Sequence, residues 1–210
     1  MTHFEIENVK NVYDQISPHF DITRKSVWPD VDRFVKTFPS NSYVLDAGCG
    51  NGKNMCRDDC YFIGGDFCHN FLQIVQKKDN EAIQINVKTL PFRNNTFDHV
   101  ICVAVIHHIK DKSEQIKSIK ELLRVTKRKG TILITVWEAH GEYKKGDNYI
   151  DWNLQKKYNK EESKDVVYKR YYYIYDENEL YKDIFRSVSN IMIESFKSSH
   201  NNRFVIITKL

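Results

Sequence analysis

Apolar positions along this chain fall into two alternating rhythms. Nearly unbroken apolar runs occupy residues 97–105 (FDHVICVAV) and 131–137 (TILITVW), the pattern of strands covered on both faces. Val44 and Leu45 end another strand, residues 61–66 (YFIGGD) form the next, and residues 82–86 (AIQIN) make a short third. Elsewhere the spacing is helical. Residues 111–127 place Ile116, Ile119, Leu122 and Leu123 on one face, with Gly130 as a C-terminal stop. Trp28-Pro29 opens a helix with Val31, Phe34, Val35 and Phe38 on one side, and another helical piece lies within residues 5–16. Asp176 to Glu179 reads as a capping box for a helix through Phe185. Residues 188–196 and 203–208 close the chain as a hairpin at one sheet edge. Strand and helix alternate, which argues for an α/β fold with a doubly wound, mostly parallel sheet. Residues 1–40 would be an N-terminal helical cap, and residues 139–170 a polar, Lys- and Tyr-rich insertion after the fifth strand. No repeat or boundary divides the 210 residues, so a single domain is expected.

Composition narrows the class. At 41% hydrophobic residues the chain can bury a core, which excludes disorder throughout. No apolar run approaches the ~20 residues of a membrane span, and the N-terminus lacks the apolar centre of a signal peptide. A soluble cytoplasmic or nuclear protein is expected. Five cysteines, an odd number without a paired CxxC, fit reduced thiols, and no metal site is expected. A net charge of +4 permits an acidic partner without demanding one.

The candidate chemistry sits at residues 44–53, VLDAGCGNGK. A strand ending in D-x-G-x-G-x-G makes a tight turn at the carboxyl edge of a parallel sheet, where ligands of such sheets bind. The dinucleotide fingerprint G-x-G-x-x-G does not fit, because Lys53 stands where its last glycine belongs, and there is no Walker lysine pattern. A dehydrogenase or an NTPase is therefore disfavoured.

The turn resembles motif I of the class I S-adenosylmethionine-dependent methyltransferases. That resemblance implies a seven-stranded, Rossmann-like sheet. It implies that Gly48, Cys49, Gly50 and Gly52 pack against the methionine part of the cofactor while Asp46 helps hold its amino end. Asp66, followed by Phe67, matches the carboxylate that takes both ribose hydroxyls. Asn86, followed by Val87, lies where the family usually keeps an Asp for the adenine amino group. Val103 completes the cofactor-binding set. Residues 12–20 (VYDQISPHF), Thr23-Arg24, Trp28-Pro29, residues 90–98 (LPFRNNTFD), residues 104–108 (AVIHH), Arg170-Tyr-Tyr172 and Glu179-Leu180 narrow the likeness. Together they are similar to the eukaryotic tRNA wobble-uridine (5-carboxymethyluridine) carboxyl methyltransferases, over about residues 9–185.

This resemblance implies methylation of the carboxylate of 5-carboxymethyluridine at the wobble position of tRNA. A carboxylate with a pKa near 4 is ionised at pH 7, so no general base is expected. Arg24 is the first candidate to grip that carboxylate and Arg170 the second. His107 and His108, after the fourth strand, are candidates at the rim where substrate meets cofactor. Trp28 reads as a core or helix-start aromatic. For the tRNA anticodon stem-loop, Lys127-Arg128-Lys129, Lys144-Lys145, Lys156-Lys157 and Lys169-Arg170 are candidate phosphate contacts, and the tyrosines at 171–173 candidate stacking partners. The family also implies a small zinc-binding activator subunit, expected to dock near strand 82–86. Two other readings stay open: a methyltransferase of a small metabolite or another RNA, and a catalytically silent RNA- or activator-binding scaffold.

Overall fold

The computed structural model describes residues 2–154, 166–197 and 202–210. Its centre is a seven-stranded sheet with β1 (Tyr43–Ala47), β2 (Tyr61–Asp66), β3 (Ala82–Gln84), β4 (Phe97–Val103), β5 (Thr126–Trp137), β8 (Ile191–Lys197) and β9 (Asn202–Lys209). The order is β3-β2-β1-β4-β5-β9-β8. Strands β1 to β5 are parallel, and β9 runs antiparallel between β5 and β8. The order reverses between β1 and β4, and the carboxyl ends of the strands meet there.

Both faces are covered, as the apolar runs require. On one side α5 (Lys112–Val125) and α6 (Glu179–Ser187) pack Ile119, Leu122, Leu180 and Ile184 against Val100, Ile132 and Ile134. On the other, α3 (Pro29–Val35) sets Val31, Phe34 and Val35 against Val44, Ile101 and Leu133. The remaining helix of the sheet, α4 (His69–Gln76), follows β2 and buries Phe71, Leu72 and Val75. No helix fills the connection between β1 and β2, where residues 48–60 are turns and polar loop.

Several expectations are corrected. The N-terminal helix does not stop before Pro18. It runs as α1 (His3–Glu5), a π-helical turn (Ile6–Lys10) and α2 (Asn11–Thr23). Proline cannot donate to the Asp14 carbonyl, but Ser17 Oγ (2.9 Å) and Asn70 Nδ2 (2.8 Å) do so instead, which lets the helix continue. Gly130 is not a helix stop. Helix α5 ends at Val125, and pairing of β4 with β5 skips from Thr126 to Thr131, a bulge with Lys129 at φ 63°. A Cβ on Gly130 would come within 2.5 Å of the Asp98 carbonyl oxygen, so the glycine serves close strand packing there. The capping box at 176–179 forms only in half. Glu179 Oε2 accepts from the Asp176 N–H (3.0 Å), while Asn178 starts the helix in a left-handed conformation.

The segment without evident period carries an antiparallel hairpin, β6 (Gly146–Leu154) and β7 (Val166–Ile174). Its alternation was masked by polar residues on the outer face, while Ile150, Trp152, Arg170 and Tyr172 point inward and are buried. Lys156 and Lys157 lie outside the described residues. No helix among the described residues is long and apolar enough to cross a membrane.

Candidate active site

The carboxyl edge of the sheet opens into a cleft of about 270 Å³ roofed by the N-terminal helix and the β6–β7 hairpin. Its floor is the glycine turn. Gly48 N–H (2.6 Å) and Cys49 N–H (3.0 Å) both donate to the Gly65 carbonyl, which folds the turn tightly onto β2. Gly48, Gly50 and Gly52 all have positive φ. At Gly48 (φ +87°) a Cβ would sit 2.1 Å from Val105 Cγ2, so this position admits no side chain. Gly48→Ala is expected to cost about 2–4 kcal/mol, from a strained φ plus a clash in the core. Urea unfolding measures it, and a loss below 0.5 kcal/mol, on the order of an ordinary surface change, would contradict the tight-turn account.

Two buried carboxylates bracket the turn. Asp46, at the end of β1, is 0% exposed, and neither oxygen has a hydrogen-bond partner. Burial pushes its pKa up to about 7. The neighbouring Asp66 adds to the rise, while Asn54 and Lys53 oppose it without a hydrogen bond of ordinary geometry to either oxygen. Asp66, at the end of β2, accepts from Gly50 N–H (2.9 Å) and Cys68 N–H (2.9 Å). Its pKa rises to about 6, again through burial, with those backbone bonds acting against it. An unpartnered buried carboxylate costs stability unless a cationic or hydrogen-bonding ligand meets it. These acceptors thus suit a ligand with a cationic amino group and vicinal hydroxyls.

Of the residues singled out from sequence, Arg24, Gly48, Cys49, Gly50, Asp66, Phe67, Asn86, Val87, Val103, His108 and Arg170 line the cleft. Asp46 and Gly52 are not among its lining residues, though each is two positions from the lining Gly48 or Gly50. His107 is not brought to it. Its ring is fully buried, takes a hydrogen bond from Trp137 N–H (3.2 Å) and packs on Tyr172, and burial drives its pKa well down. His108 faces the cleft but is committed. Its Nδ1–H donates to the Tyr171 carbonyl (2.7 Å), so Nε2 accepts from Tyr13 OH (3.0 Å). Burial lowers its pKa to about 3, which leaves it neutral with no donor to spare. Tyr13 in turn meets Tyr172 OH (3.2 Å), which accepts from Arg170 Nη1 (2.8 Å). One directed chain of donors therefore runs from Arg170 through Tyr172 and Tyr13 to His108.

The sequence did not disclose Trp152. It sits in β6, where its ring stacks on Phe20 (5.7 Å) and its Nε1–H donates to His19 Nδ1 (3.0 Å). The guanidinium carbons of both Arg24 (4.9 Å) and Arg170 (4.7 Å) lie over this one ring. Arg170 is nearly buried and its Nε has no partner, whereas Arg24 is exposed. Tyr171 and Tyr172, at 1% and 3% exposure, offer no open face for stacking a base. Trp28 does border the cleft, with Lys53 Nζ 5.4 Å from its ring centre. Among the described residues no group of three His, Cys, Asp or Glu side chains could hold a metal ion.

Solved structures share this architecture at low sequence identity. An S-adenosylmethionine-dependent methyltransferase from Clostridium acetobutylicum superposes with a TM-score of 0.69 at 13% identity, covering 94% of this chain and 98% of that one. A Haloferax volcanii methyltransferase solved with the Trm112 methyltransferase activator gives 0.68 at 13% identity, over 95% and 96% of the two chains. Residues 45–134 match the family model described as a methyltransferase domain. Sheet order, glycine turn and flanking acids define a class I, Rossmann-like methyltransferase of the S-adenosylmethionine-dependent type. A curated tRNA (carboxymethyluridine(34)-5-O)-methyltransferase from Schizosaccharomyces pombe is 31% identical over 84% of this chain and 86% of its own length. The chain belongs to the tRNA (carboxymethyluridine(34)-5-O)-methyltransferase family. The Arabidopsis thaliana protein of that name is 44% identical over 66% of this chain, which spans 35% of its length. Vertebrate relatives are likewise longer, and the chain spans 21–41% of three of them.

Proposed function

We propose that the chain binds S-adenosylmethionine and methylates the carboxylate of 5-carboxymethyluridine at the wobble position of tRNA, giving 5-methoxycarbonylmethyluridine. The observation that carries this reading is the pairing of two features in one cleft. At one end Asp66 borders the cleft, and unpartnered Asp46 stands two residues before the lining Gly48 of the glycine turn. At the other, two guanidiniums lie over Trp152. The first suits a cationic, hydroxyl-bearing cofactor, and the second suits an anionic substrate group.

When bound, S-adenosylmethionine supplies an activated methyl group. Asp46 would hold its amino end, and Gly48 and Cys49 would leave room for the methionine part. Asp66 would take the ribose hydroxyls through lone pairs not used by Gly50 and Cys68. The chain's own task is positioning. Arg170, fixed by Tyr172 and Trp152, and Arg24, at the open rim, would orient the substrate carboxylate, which is ionised at pH 7 and needs no base. The Tyr172–Tyr13–His108 chain keeps Arg170 in place with neutral groups around it.

For RNA, the candidate cations fall into two groups by their distance from the cleft. Lys127, Arg128 and Lys129 begin β5, a strand's length from the cleft, and Lys127 pairs with Asp98 (2.8 Å). Exposed Lys25 and Lys169 instead adjoin the cleft residues Arg24 and Arg170. The salt slope of tRNA binding is expected to drop by roughly 1.4–1.8 in Lys25→Ala/Lys169→Ala, since each phosphate contact contributes about 0.7–0.9. Lys127→Ala/Lys129→Ala should leave the slope unchanged; the reverse pattern would put the RNA on the other edge.

A small zinc-binding activator subunit is proposed to add a strand beside β3, which among the described residues pairs only with β2 and exposes Ile83 (41%). Ile83→Asp is expected to abolish co-purification with that subunit and leave the fold intact by circular dichroism.

The deciding experiment is transfer of labelled methyl from S-adenosylmethionine to tRNA carrying 5-carboxymethyluridine, with and without the activator. Base-labile label on the wobble uridine supports an ester. Intact cofactor binding without label on this tRNA would mean another substrate.

A further inference from the structure

Asn86 stands just beyond β3, where the family usually keeps an acid toward the base of the cofactor. Its Oδ1 accepts from the Lys88 N–H (3.0 Å), closing a local turn. A carboxylate does border this cleft, but it comes from the N-terminal helix. Glu5, in the first turn of the N-terminal helix, is 7% exposed and borders the same cleft as Asn86, Val87 and Lys88. Lys88, at 6% exposure, donates from Nζ to Glu5 Oε1 (2.9 Å) and Oε2 (2.8 Å). Thr2 N–H donates to Oε2 as well (2.9 Å), and the Thr2 side chain accepts from Glu5 N–H (3.2 Å).

Counting lone pairs leaves one vacancy. A carboxylate accepts at about four sites, and those bonds occupy two on Oε2 and one on Oε1. The side chain is held by a capping box and a buried ammonium, and a π-helical turn at Ile6–Lys10 follows it directly. π-Turns inside helices recur at functional sites. A buried ion pair adds little stability over apolar packing of equal volume, so a tie between helix and loop does not by itself call for charges here.

We infer that Glu5 is a cofactor-recognition residue: its free Oε1 site accepts from the exocyclic amino group of the adenine, in place of an acid at position 86, and Lys88 holds it there. This rests on the cofactor reading above. It makes the N-terminal helix part of the cofactor site, and Asn86 a turn residue.

The test is calorimetric binding of two thioethers to the full chain: S-adenosylhomocysteine, and its 6-oxo counterpart S-inosylhomocysteine. A carboxylate facing a carbonyl oxygen rejects it, so the wild-type protein should prefer the amino compound by about 30-fold or more. In Glu5→Gln the amide oxygen turns to Lys88 and the NH2 toward the base, and the preference should fall at least tenfold. In Asn86→Ala it should stay within about twofold of wild type. The ratio is taken on one preparation, so a partly unfolded variant does not distort it. Glu5→Leu/Lys88→Leu, which leaves no buried charge unpaired, should lose the preference equally. A preference kept in Glu5→Gln, lost in Asn86→Ala, or missing from the wild type while both compounds bind, overturns the inference alone. Binding of neither compound by the wild type, even with the activator, overturns the cofactor reading and this inference with it.

Discussion

Asp46→Asn should make the empty protein more stable at pH 8 while removing cofactor binding. The folded-state pKa of Asp46 is raised to about 7 by burial, with the Asp66 charge adding to it. A carboxyl raised in the folded state favours folding fully below its unfolded pKa near 4, and that contribution is lost as pH climbs through about 7. Asp66, raised to about 6, acts in the same direction. The empty wild-type protein should therefore lose stability between about pH 4 and 7. About 3 pKa units set a ceiling near 4 kcal/mol, and relaxation of the site reduces it. A gain of about 1–3 kcal/mol at pH 8, or roughly 3–8 °C in Tm, is expected for the amide. The pH dependence should flatten. Losing the charge that meets a cationic amino group should weaken S-adenosylhomocysteine binding by about 100-fold or more. In the wild type that affinity should rise from pH 5.5 to 8 as Asp46 ionises. Melting curves and calorimetry across pH give both readouts, and an amide variant less stable at pH 8 would sink the account.

Arg170→Lys should cut methyl transfer by about 100-fold or more with cofactor affinity changed less than about threefold. The guanidinium lies 4.7 Å over Trp152 and 5.3 Å over Tyr172, gives Nη1 to Tyr172 OH, and keeps its buried Nε without a partner. A lysine keeps the charge but loses the plane that stacks and the fork that holds two oxygens. Arg24→Ala should behave alike and more mildly, because that side chain is exposed and water can replace part of its role. Single-turnover transfer to carboxymethyluridine tRNA, beside calorimetry with S-adenosylhomocysteine, separates the two effects. Transfer at wild-type rate in Arg170→Lys would remove the guanidinium pair from the mechanism.

Local rules carried the chain a long way. The apolar runs at 97–105 and 131–137 became β4 and β5 because strands buried on both faces need continuous hydrophobicity. The α5 face held because its period is set by the helix itself. Gly48 and Asp46 were legible because a tight turn at a strand end constrains adjacent residues. Failures came where a distant partner changed the local answer. Pro18 stays helical because Asn70, 52 positions on, joins Ser17 in satisfying the Asp14 carbonyl. His107 and His108 are adjacent in sequence and their rings touch edge to face at 4.5 Å, yet only His108 borders the cleft while His107 is packed into the core behind it. The strand sequence determined the sheet and the place of the glycine turn. Only tertiary structure laid two arginines, 146 positions apart, over Trp152 and brought Glu5 to Lys88. Spacing along a strand or helix fixes what is near within one element; which elements face each other across a cleft is decided by the packing of the whole.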